Sequence, residues 1–200
     1  MATNWPTSRD TFTNPSSSST LDSPSHAAQH ANINDAVEAM QLYAGLVLVK
    51  SQTISTGAAS VTVTGAFSST FLDYMIVGQI GCAVGSTTVY LTLTGVTGTP
   101  YDGVIYYNTF GAATAEILAP YNNATQADIG HWRYGGSMII SQPNTTGYKG
   151  FSLSNTQDVT YMRRGGGRIQ STTASTGFTI FPAAGTFSFG SIRIYGFNKG

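Results

Sequence analysis

Three groups of side chains in this 200-residue chain have the types and spacing that chemistry or recognition would use. The first is Arg163-Arg-Gly-Gly-Gly-Arg168, the densest charge cluster of the sequence, followed by Arg193 and Lys199 with no acid after Asp158. A glycine turn there would hold Arg163, Arg164 and Arg168 at a hairpin tip. Guanidinium forks so placed suit lipopolysaccharide phosphates or the carboxylates of a neighbouring subunit, although a hairpin tip can equally be solvated surface. The second group runs from Tyr101 to Tyr134 and gathers Tyr106, Tyr107, Trp132 and Tyr134 among Asp102, Asn108, Asn122, Asn123, Asp128 and His131. Aromatic rings stack on the apolar faces of sugars while amides and carboxylates fix hydroxyls, so the mixture suits glycan contact. The competing reading is that the rings fill a core. The third group, His26-Ala-Ala-Gln-His30, sets two imidazoles one helical turn apart, the spacing of a helical metal pair. It lacks the glutamate of a zinc-protease motif and reads better as part of a polar seam.

Catalysis has little to draw on. No Gly-x-Ser-x-Gly elbow occurs, His131 is the only histidine after the helix, and Glu116 is the only glutamate outside it. A triad or a carboxylate pair would have to be assembled from Asp102, Asp128, Asp158 and scattered serines. No enzymatic activity, cofactor or metal is therefore expected. Nine basic residues balance nine acidic ones, and only 9% of residues are charged, against about 25% in ordinary soluble chains. Polarity rests on Thr, Ser, Asn and Gly, which leaves no electrostatic footprint for nucleic acid. The lone Cys82 excludes an internal disulfide and is expected to be a buried, inert thiol. Neither a secretory leader nor an apolar run long enough for a membrane span is present in the sequence given, and the sequons at Asn123 and Asn144 are read as chance.

The elements that must position these groups fall into three segments. Residues 1–23 are punctuated by Pro6, Pro15 and the run Ser16-Ser-Ser-Ser19, and they show no hydrophobic period. They are expected to form an extended arm whose spaced apolar points Trp5, Phe12 and Leu21 dock on a partner. Residues 24–45 carry helix signals: Ser23 as cap, Pro24 at the first position and Gly45 as stop. Alternating steps of four and three join His26, His30, Ile33, Val37, Met40 and Ala44 in one heptad-like stripe. A lone helix of this length is marginal in water, so the stripe must be covered, either by symmetry mates of a trimer or by the chain's own β region. Residues 46–200 switch to period two in many short β-branched and aromatic runs, from Leu46-Val-Leu-Val to Ser191-Ile-Arg-Ile-Tyr195. The fold class expected is mainly β: an extended arm, one short helix and an antiparallel β-sandwich of jelly-roll type.

Two stretches resemble a known family. Thr11-Phe-Thr-Asn-Pro15, with Ser23-Pro-Ser-His-Ala-Ala-Gln-His30 and Asn34-Asp-Ala-Val-Glu-Ala39, is similar to the N-terminal module of tailed-bacteriophage virion proteins, including tail fibres and related appendages. Phe67-Ser-Ser-Thr-Phe-Leu-Asp-Tyr-Met-Ile-Val77 and Gly190-Ser-Ile-Arg-Ile-Tyr-Gly196 resemble the small β-sandwich that often follows it. The resemblance implies a non-enzymatic virion component, commonly trimeric, attached by its N-terminus and ending in a β-rich head. Its partners would be itself, tail or capsid proteins, and a host-surface glycan. It would be assembled in the host cytoplasm and located in the virion. A short tail fibre or spike leads; a capsid decoration or head fibre, and a glycan-binding or glycan-degrading domain, are the alternatives.

Overall fold

In the computed structural model, residues 26–43, 45–85, 87–109, 115–117, 121–156 and 161–197 are described. The docking points Trp5, Phe12 and Leu21, the cap Ser23 and the seam residue Ala44 lie outside them. The helix α1 spans His26–Tyr43, and a β region follows directly with β1 (Leu46–Ile54), β2 (Val61–Val63), β3 (Asp73–Cys82) and β4 (Val89–Leu93). Next come β5 (Tyr101–Thr109), β6 (Ala115–Ile117), β7 (Tyr121–Ala124), β8 (Ala127–Asp128) and β9 (Gly136–Ser141). The last four are β10 (Lys149–Thr156), β11 (Tyr161–Ile169), β12 (Phe178–Pro182) and β13 (Phe187–Phe197). The runs that alternate apolar and polar residues became strands because alternation puts every second side chain on one face. In β12, Phe178, Ile180 and Pro182 are buried while Thr179 and Phe181 are only partly so.

All pairings are antiparallel and they form two sheets. The larger runs β1-β13-β3-β9-β10-β11-β5-β6, with β7 also on β5; the smaller runs β2-β12-β4-β8. Sequential strands β1 to β4 alternate between the sheets, and β8-β9 and β12-β13 do so again. The nested orders β1-β13-β3-β9 and β2-β12-β4-β8 are the double Greek-key wrapping of a jelly roll, as the β periodicity led us to expect. Strands β10, β11, β5, β6 and β7 lengthen its larger sheet.

The inner faces of the two sheets make one core. Ile76, Met138, Ile140, Ile192 and Ile194 of the large sheet meet Val63, Leu91, Leu93, Phe178 and Ile180 of the small one. Phe67 bridges the sheets, its ring 4.8 Å from Tyr74 and 5.7 Å from Phe178. Two buried tyrosines bring their own hydroxyl partners. Tyr74 accepts from Ser68 N and donates to Ser68 O, and Tyr101 accepts from Leu93 N at 2.7 Å. Removal from water pushes the Tyr101 phenol up to about 12 and the half-buried Cys82 thiol up to about 11, so Cys82 is a neutral thiol at the end of β3.

Lys149 is buried at the start of β10 and donates to the carbonyls of Thr145 (3.1 Å), Gly147 (2.7 Å) and Ser171 (2.7 Å). Three acceptors match the three donors of an ammonium, which ties the β9–β10 connection to the segment after β11. Burial pulls its pKa down, while the carbonyls hold the charged form.

No residue of α1 enters the core among those described. Ile33 is 60% and Met40 64% exposed, His30 is exposed and Val37 partly so. Packing of this stripe on the chain's own β region is therefore not what covers Ile33 and Met40.

Candidate functional site

The register of the large sheet places the two candidate recognition groups side by side. β11 pairs with β5 so that Arg164 stands opposite Tyr106, Arg168 opposite Asp102 and Arg163 opposite Tyr107. On its other side β11 pairs with β10, setting Ser154 opposite Arg164 and Asn155 opposite Arg163. Because directly opposed residues share a sheet face, Tyr106, Arg164 and Ser154 lie on the outer face, whereas Arg163 and Asn155 turn inward.

The expected hairpin tip at Arg163–Arg168 is corrected by this geometry. The segment is the middle of β11, and none of Gly165, Gly166 and Gly167 has the positive φ that a hairpin turn would require. The glycines serve close strand approach: a Cβ on Gly165 would collide with the carbonyl oxygen of Val104, and one on Gly167 with that of Asp102. The sequence signal for glycine was sound, but glycine is demanded equally by turns and by backbone contact.

The three arginines consequently have three different roles. Arg163 is 5% exposed and pairs at 3.6 Å with Asp128 of β8, joining the two sheets. It is thus no exposed anion contact. Around this pair Asn155 Nδ2 donates to Ile129 O at 3.0 Å, and Gly130 N, at a residue with φ 72°, donates to Asp128 Oδ1 at 2.8 Å. Burial raises the Asp128 pKa, and Arg163 and the Gly130 N–H each oppose that rise. Arg168 is exposed, and its Nε donates to Asp102 Oδ2 at 3.1 Å; Gln170 Nε2 donates to the same oxygen. Arg164 is exposed and has no acidic partner among the described residues.

Trp132 is corrected as well. It is 1% exposed, donates from Nε1 to Ile129 O at 2.7 Å and packs its indole on Gly136, so no sugar can reach its face. A buried indole with its one donor satisfied is the ordinary core solution, and the local sequence holds nothing that separates it from an exposed tryptophan. His131 is buried beside it. Tyr106 and Tyr134 are exposed, Tyr134 standing next to Thr156 at the end of β10, where its N–H donates to Thr156 O at 3.3 Å. The side chain of Tyr107 lies outside the described residues, as does that of His26.

Beside Tyr106 and Arg164 lies an open groove of about 380 Å³, lined by these two residues with Leu153 and Gly165. An aromatic face, a guanidinium and open backbone can bind a small polar ligand. Among the described residues no three His, Cys, Asp or Glu side chains converge to hold a metal ion, and no helix is long and apolar enough to cross a membrane. No protein-family model matches the chain, and no curated protein matches it.

Proposed function

We propose that this chain is a non-enzymatic structural protein of a tailed-phage virion, a homotrimeric short tail fibre or spike. Its N-terminal arm docks on another virion protein, α1 assembles three copies, and the jelly roll faces the host surface. The observation that carries this reading is the pairing of a core that takes no described residue of α1 with a helix that leaves Ile33 and Met40, seven residues apart, in solvent. Apolar residues at heptad spacing on a helix that its own domain does not cover are what an oligomer seam requires. The resemblance of residues 11–39 to virion attachment modules supplies the setting, and the groove at Tyr106 and Arg164 supplies a surface for a host glycan.

Capsid decoration is the second reading, favoured by the broad large sheet, which offers a wide face for gripping capsid subunits. Immunogold microscopy of purified virions of the encoding phage, with antibody to residues 46–200, tests both. Label at the tail tip is the expected result, and label over the head would replace the fibre with a decoration protein. Unlabelled particles, with the antibody shown to bind the purified chain, would overturn both.

A further inference from the structure

We infer that the Tyr106–Arg164 groove is a subsite for an anionic pyranose, a sugar ring that carries a carboxylate or phosphate. This rests on the reading of the jelly roll as a surface-attachment head and names the chemistry it would recognise. Two independent features converge on it. Tyr106, on β5, is 36% exposed and offers a ring to the apolar face of a sugar. Arg164, directly opposite on β11, offers a guanidinium fork to an oxyanion.

The charge pattern around the groove selects an anion over a neutral sugar. Of the three arginines on β11, Arg163 and Arg168 are already engaged by Asp128 and Asp102. Arg164 is left exposed at the edge of the groove. A guanidinium without an acidic partner among the described residues, in a chain this poor in charge, is a binding resource that packing does not use. The groove volume of about 380 Å³ is of the size that holds a small ligand, and its openness suits one unit of a longer chain.

Isothermal titration of the full chain tests this with three probes: tetragalacturonate, its fully methyl-esterified form, and glucose 6-phosphate. The expected result is binding of at least one anionic probe, with the neutral ester bound about tenfold more weakly or not at all. Binding by tetragalacturonate alone would assign a carboxylated sugar, and by glucose 6-phosphate alone a phosphorylated one. Arg164→Gln and Tyr106→Ala should each weaken binding about tenfold, and Arg164→Lys should recover part of it. Both positions are exposed, so thermal midpoints near that of the parent are expected and serve as the folding control. No binding by either anion, equal binding of the ester, or full binding by Arg164→Gln would overturn the proposal. Because titration needs no virion, such a failure leaves the attachment reading to stand or fall by the microscopy.

Discussion

Asp128 shows how a single residue can be stabilised and penalised at once. Burial disfavours its carboxylate, while Arg163 at 3.6 Å and the Gly130 N–H favour it, and the raised pKa means that burial wins. An acid whose pKa is higher in the fold than in the unfolded chain holds its proton better when folded. Its contribution to stability is therefore greatest below the unfolded value and declines as pH rises through the folded one. Asp128→Asn removes that titration while keeping an oxygen for the Gly130 N–H. Calorimetric midpoints of parent and variant, compared across the acidic range up to neutrality, should show the difference shifting toward the variant as pH rises. All other titrations cancel in this difference. A shift toward the parent would mean that Arg163 outweighs desolvation and that the pair is a net stabiliser when ionised.

At the scale of elements, β11 does the most to shape the candidate site, and its glycines make it possible. Gly167 faces the main chain of β5, where an added methyl would strike the Asp102 carbonyl, whereas Gly150 on the neighbouring β10 has open space. Gly167→Ala should lower stability by about 2 kcal/mol, as forced overpacking does, and Gly150→Ala should change it by about 0.5 kcal/mol or less. Urea unfolding midpoints of the two variants measure both, and equal effects would refute close strand approach as the reason for the triglycine. The same element shows what was legible in advance. Period-two runs mark β1 to β4, β9, β10, the start of β11, β12 and β13, because alternation is a property of each segment alone. The strands β5 to β8 show in the sequence only as a polar aromatic stretch. β8 has two residues and no period, and β5 shares its tyrosines with any glycan surface. Tyr106 and Arg164 were each visible as recognition residues. Their adjacency was not, since register is set by pairing between distant segments and leaves no mark in either. The Asp128–Arg163 pair was hidden for the same reason.

For the whole molecule, the question is what covers α1. An 18-residue helix that leaves Ile33 and Met40 in solvent is close to the limit of stability in water, so its persistence depends on a partner. Three copies burying Ile33 and Met40 about one axis would supply that cover and would also present three grooves together. Contacts that are weak singly then combine through effective concentration, provided the spacing allows simultaneous engagement. Sedimentation equilibrium of the full chain is expected to give three times the chain mass. The double variant Ile33→Asp, Met40→Asp should sediment as a monomer, lose helical circular dichroism and keep the unfolding midpoint of the jelly roll, whose core contains neither residue. A monomeric parent would refute the seam. A variant that remains trimeric would transfer assembly to the outer faces of the sheets, and the helix would then need another partner.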